Sequence, residues 1–112
     1  MKILREKIDR GELLKSENLF DGPMTKAVVD IKRGIVAVDS DLHADLEQLL
    51  LEDGSEQDDL WGINLYPEDM AEDFIEFDSM INVRPRQNNR SRYVEDADTR
   101  TQIIELVKQW FN

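Results

Sequence analysis

The sequence predicts an α+β domain, a mostly antiparallel sheet of about four to five strands with about three helices packed on one face. Three observations carry this reading. Lys26–Asp39 reads as a β-hairpin: KAVVDI and IVAVD are rich in β-branched residues, and Lys32-Arg33-Gly34 joins them. Leu42, Leu46, Leu49 and Leu50 fall at helical spacing, one apolar stripe. Phe74–Arg84 alternates as a strand does, with Ile75, Phe77, Ser79, Ile81 and Val83 toward a core and Glu76, Asp78, Met80, Asn82 and Arg84 away from it.

The remaining elements follow in order. Lys2–Ile8 is a short strand. Asp9 and Glu12 have capping-box spacing for a short helix that ends at Asp21-Gly22-Pro23. In the hairpin, Gly34 supplies the positive φ that a short connection requires. Ser40 or Asp41 is the expected cap of the leucine-striped helix, and Gly54 its left-handed stop. Trp61–Tyr66 alternates, with Trp61, Ile63 and Leu65 on one side and Gly62, Asn64 and Tyr66 on the other. Glu68–Asp73 is a charged connection. Pro85 cannot donate to a ladder, so pairing is expected to stop there, and Asn88-Asn89 invites a turn. Asp96 or Asp98 caps a last helix on which Ile103, Ile104, Val107, Trp110 and Phe111 repeat.

A chain of 112 residues holds one domain, taken as 1–112. An apolar content of 40% against 35% charged residues is globular composition. Without cysteine there is no disulfide framework and no thiolate chemistry. No signal peptide and no apolar run of bilayer length is present, so a cytoplasmic location without membrane contact is expected.

The charge is uneven. Residues 34–83 hold fifteen acids and no Lys or Arg, whereas Arg84–Arg92 holds four arginines and no acid. A net charge of −11 argues against broad binding to nucleic acid. No aromatic interrupts Arg84–Arg92, so the stacking platform of single-strand binders is missing there too.

The arginine loop is the leading candidate site. Asn82, Arg84, Arg86, Asn89, Arg90 and Arg92 concentrate donors, and guanidinium is a planar fork suited to carboxylate or phosphate. A small anionic ligand is one expected partner. The competing expectation is that the arginines pair with the chain's own acids, with Arg84 and one of Arg90 and Arg92 touching carboxylates within the chain or across a homodimer. Trp61, Tyr66 and Met80 are the residues expected to offer an apolar contact for such a dimer. A polar patch of Asp30, Asn64, Asp78, Asn82 and Arg84 is expected on the sheet face opposite the helices.

His43 is the only histidine, in the first turn of the leucine-striped helix with Asp45 and Glu47 nearby. If the chain is an enzyme, His43, Asp45 and Asp78 are the candidates for proton handling. One histidine and no cysteine do not make up a zinc-ligand set, and Asp39, Asp41, Asp45 and Asp78 lack calcium-loop spacing, so neither metal nor cofactor is expected.

The phrases LHAD (Leu42–Asp45), DLWGINLYP (Asp59–Pro67), EFDSMINVRP (Glu76–Pro85) and NRSR (Asn89–Arg92) together resemble a family of small uncharacterised prokaryotic proteins, a domain of unknown function. The resemblance covers nearly the whole chain and implies a stand-alone α+β domain without implying an activity. Two readings stay open: binding or association through the arginine loop, or catalysis on a small anionic or phosphorylated substrate.

Overall fold

The computed structural model describes residues 1–4, 24–66 and 74–110, with Trp110 described for its backbone alone. It is an α+β domain. The helix expected after Asp9 and the Glu68–Asp73 connection lie outside the described residues.

Among the described residues five strands form one antiparallel sheet in the order β1-β3-β2-β4-β5: β1 Lys2–Leu4, β2 Thr25–Asp30, β3 Ile35–Val38, β4 Leu60–Leu65 and β5 Ile75–Glu76. The β2–β3 hairpin turns as expected, with Gly34 at φ +70°. Asp30 holds the turn, its Oδ1 accepting the amides of Lys32 and Arg33 at 2.9 Å each. Both β3 and β4 run antiparallel to β2, so they are parallel to each other, and helix α1 (His43–Glu52) makes the crossover between them. Helix α2 is Ala97–Trp110. Asp96 caps it, its Oδ2 accepting from the Thr99 amide at 2.9 Å.

The two helices among the described residues lie on opposite faces of the sheet, which corrects the expectation of helices on one face. Ala27, Val29, Val36, Val38, Trp61 and Ile63 pack with Ile103, Leu106 and Val107 of α2. Their in-between neighbours Val28, Ala37 and Leu60 pack with Leu46 and Leu50 of α1. The physical reason is legible in the strands. AVV and IVAV are continuous apolar runs, and such runs satisfy a sheet covered on both sides. On α2, Leu106 is buried and Ile104 is only half-buried, so the buried stripe is turned slightly from the expected one.

A second correction concerns Phe74–Arg84, which is not one long strand. Pairing with β4 covers only Ile75 and Glu76. Ser79 is buried and accepts from the Ile81 amide, which starts a 3-10 turn at Met80–Asn82. Phe77, Ile81 and Val83 are therefore half-buried, while Asn82 and Arg84, expected to face outward, are 0% and 5% exposed. Gly62 of β4 causes the change. A Cβ there would stand 2.5 Å from Ser79 Oγ, so the absent side chain lets Ser79 pack where a paired strand would otherwise continue.

Candidate functional site

The arginine loop is a frame built from side chains. Asn82 sits against the edge of β4 that faces away from β2. Its Oδ1 accepts the Gly62 amide at 2.8 Å, and its Nδ2 donates to the Gly62 carbonyl at 2.9 Å and to that of Arg92 at 3.0 Å. Arg84 lies 4.1 Å over the Trp61 ring and donates to the carbonyls of Gln57 and Leu60. It makes no ion pair with a carboxylate among the described residues, so its fork is spent on backbone rather than on acids. Burial lowers its pKa, and Glu47 and Asp58 work against that shift. Asn89 closes the loop: Nδ2 donates to the carbonyls of Asn82 (2.7 Å), Ser91 (3.1 Å) and Tyr93 (2.7 Å), while Oδ1 accepts the Glu95 amide at 2.8 Å. Arg84 and Asn89 also bridge through their backbones, and Asn88 between them takes the left-handed conformation.

The other arginines point apart. Arg86 is exposed, donating to Gln57 Oε1 at 2.6 Å and standing 3.7 Å from Asp58. Arg90 is exposed, and its amide donates to Glu95. Arg92 pairs with Asp78 at 2.6 Å. A cleft of about 440 Å³ runs between the loop and the start of α2, but Asp58, Glu95 and Asp96 line it with Trp61 and Gln87. The amides of Arg90 and Ser91 hold Glu95 below the usual carboxylate range, and the Thr99 hydroxyl and amide do the same for Asp96. That cleft is acidic and does not suit an anion.

A different group of polar side chains converges on the α1 face of the sheet. Lys26, Asn64 and Glu76 stand in one row across β2, β4 and β5 by register. Asn64 is 6% exposed, and its Nδ2 donates to Glu76 Oε1 at 2.8 Å and to the Asp78 carbonyl at 3.2 Å. Tyr66 donates to the same Glu76 oxygen at 3.2 Å. Burial and the Glu76 charge raise the Tyr66 pKa, so it stays a donor at neutral pH. Above the row lies His43, the first residue of α1, buried rather than at the surface. Its Nε2 is 2.8 Å from the Ile63 carbonyl. A carbonyl only accepts, so Nε2 carries the proton. Burial lowers the pKa of His43; the Ile63 contact and Asp78 oppose this, and Lys26 and Arg92 add to it. The ring is therefore neutral near pH 7, with Nδ1 an acceptor.

Helix α1 starts without a side-chain cap. Leu42 occupies the cap position, and the expected cap Ser40 instead accepts the Leu42 amide at 3.2 Å. Asp45 donates its amide back to Leu42, but the amides of His43 and Ala44 have no acceptor among the described residues.

Asp78 and Arg92 pair with each other, and their charges act on the titration of His43 in opposite senses. Asp45 is exposed on the helix, Asn82, Arg84 and Asn89 serve as framework, and Arg86 and Arg90 are exposed elsewhere. Of the expected polar patch, Asp30 is in the hairpin turn and Asn64 and Asp78 belong to this cluster. Lys26, Tyr66 and Glu76 are additions that sequence reasoning missed. Their signal was strand register, which places Lys26 and Glu76 on either side of Asn64. Of the three residues expected to form an apolar contact, Trp61 is buried, Tyr66 half-buried and only Met80 well exposed. Among the described residues no three His, Asp or Glu side chains gather as a metal-ligand set, and no helix is long and apolar enough to cross a membrane.

The chain belongs to the family described as Protein of unknown function (DUF5674), whose model matches residues 2–110. No curated protein and no solved structure matches it.

Proposed function

We propose that this family member is a binding domain for a small anionic ligand, held at the start of α1 above Lys26, Asn64 and Arg92. The observation that carries this reading is the uncapped start of α1, with the amides of His43 and Ala44 free to donate. A helix N-terminus concentrates unpaired N–H groups and partial positive charge, which suits an anion. The arginine loop serves the site indirectly. Asn82, Arg84 and Asn89 fix its path, and Arg92 is the one guanidinium it delivers to the cluster. Arg92 neutralises Asp78, and Tyr66 and Asn64 hold Glu76 by hydrogen bonds, so Lys26 is left to face the ligand's charge.

A thermal-shift panel of sugar phosphates, nucleotides and dicarboxylates tests the reading. At least one anion should raise the melting temperature of the wild type, and Lys26→Gln should reduce that rise. A panel in which no anion shifts the wild type would contradict it.

A second reading is catalysis on such an anion. It is favoured by one observation: the neutral His43 has Nδ1 available as a base, with Asp78 and Arg92 close enough to shift its titration. Turnover of a bound anion that disappears in His43→Gln while binding persists would select this reading over binding alone.

A further inference from the structure

We infer that the cleft between the arginine loop and the start of α2 binds a small hydroxylated amine, such as an amino sugar or an amino alcohol. The cleft lies on the α2 side of the sheet, where Trp61 packs, and the inference does not depend on the anion-binding reading.

The charge comes first. About 440 Å³ of space opens here, lined by Asp58, Glu95 and Asp96 and by no Lys or Arg. Arg86, 3.7 Å from Asp58, offsets part of that charge. Glu95 and Asp96 form no ion pair among the described residues, and each spends only one oxygen on the fold. Glu95 Oε2 accepts the amides of Arg90 and Ser91, and Asp96 Oδ2 accepts from Thr99. Glu95 Oε1 and Asp96 Oδ1 are left to accept from a ligand. Acids alone do not define one, because water and salt satisfy an exposed carboxylate.

Two uncharged side chains in the same cleft do define one. Trp61 and Asn89 are the buried residues of its lining, 6% and 3% exposed, and form its floor. Asn89 spends both polar atoms of its side chain on the loop. Trp61 does not: its Nε1–H is buried and has no acceptor. Arg84 already lies over the ring, so the N–H is what Trp61 has left to offer a ligand. Gln87, in the wall, carries a buried Oε1 without a donor. Its amide is not turned the wrong way. Nε2 donates to the Asp58 carbonyl, and exchanging the two atoms would set oxygen against oxygen. Trp61 and Gln87 do not pair with each other either. An unpaired buried donor and an unpaired buried acceptor are both costly, and the two residues share one cleft. An ammonium group supplies donors for Gln87 and the carboxylates, and a hydroxyl beside it supplies an acceptor for Trp61. A bare amine leaves Trp61 unpaired, and a neutral polyol leaves the acids without a counter-charge.

Isothermal titration calorimetry on the wild-type chain, joined to nuclear magnetic resonance of the Trp61 indole N–H, tests this. The ligands are glucosamine and serinol. Glucose and glycerol are their controls without the ammonium group; cyclohexylamine and isopropylamine are their controls without the hydroxyls. Glucosamine or serinol should bind at least about tenfold more tightly than both of its controls, the loss expected when a buried group stays unpaired. Its binding should move the Trp61 indole signal downfield in a saturable way. Glu95→Gln should weaken that binding several-fold. Should that variant fail to fold, Asp58→Asn, at an exposed position, should weaken it as well. Binding of neither hydroxylated amine, binding no tighter than a control, or an unmoved indole signal overturns the inference. None of these results bears on the thermal-shift panel of anions, so the anion-binding reading stands or falls separately.

Discussion

The side-chain amide of Asn82 lies edge-on to the backbone of Gly62 as a neighbouring strand would, donating to its carbonyl at 2.9 Å and accepting from its amide at 2.8 Å. One side chain thus closes the β4 edge where β5 has ended, and Gly62 permits the approach because any Cβ would strike Ser79. Asn82→Ala would leave both Gly62 groups buried and unpaired. At about 1–3 kcal/mol for each such group, the loss should be roughly 2–6 kcal/mol. Gly62→Ala should cost about 1–3 kcal/mol by overpacking. Urea denaturation measures both, and a change below about 0.5 kcal/mol in either variant would contradict the edge-closing role.

Arg84 should behave as a buried structural cation. Its fork reaches two carbonyls at once while its plane covers Trp61, and a lysine ammonium cannot do both. Arg84→Lys is expected to lose roughly 1.5–3 kcal/mol, the range for a hydrogen bond to a charged group. Chemical denaturation of the variant checks it; wild-type stability would show that the carbonyl contacts contribute nothing.

Arg92 should be nearly neutral for stability. Arg92 and Asp78 are both well exposed, at 56% and 43%, and an exposed pair contributes about 0–1 kcal/mol. Arg92→Ala should therefore unfold within about 1 kcal/mol of the wild type and yet bind anions more weakly. A variant that is strongly destabilised, or that binds anions as well as the wild type, would remove Arg92 from the proposed site.

The His43 pKa is lowered by burial, so the folded state binds its proton less readily than the unfolded state does. The sign follows directly. Stability from this residue is full above its unfolded pKa of about 6.5 and is lost as pH falls below that value. Melting temperature should drop as pH falls below about 6.5 in the wild type, and less in His43→Gln, which retains a donor for the Ile63 carbonyl. Parallel curves for the two proteins would contradict the assignment of His43 as buried and neutral.

Much of the fold was legible in residue patterns. The hairpin, with Gly34 in its turn, the buried Leu46 and Leu50 of the α1 stripe, the alternation of Trp61–Leu65 and the Asp96 cap are all local signals, whereas Leu42 of that stripe is the exposed cap residue. What local pattern did not reveal depended on contacts across the sequence. Phe74–Arg84 alternates like a strand, but Gly62, more than ten residues earlier, draws Ser79 and Asn82 inward and ends the pairing. The placement of α1 and α2 on opposite faces was written in the unbroken apolar runs of β2 and β3. The arginines were visible as a cluster, yet their partners were not, because a guanidinium serves backbone carbonyls as readily as acids. The site cluster needed register: Lys26 and Glu76 flank Asn64 only once β2, β4 and β5 are paired.

The most direct measurement is an amide-resolved nuclear magnetic resonance titration of the full chain with each anion of the thermal-shift panel, the sugar phosphates, nucleotides and dicarboxylates. The account predicts saturable shifts that are largest at the backbone amides of His43 and Ala44 and at the Asn64 side chain. Shifts centred instead on Arg86–Arg90, or no saturable shift at the start of α1, would contradict it.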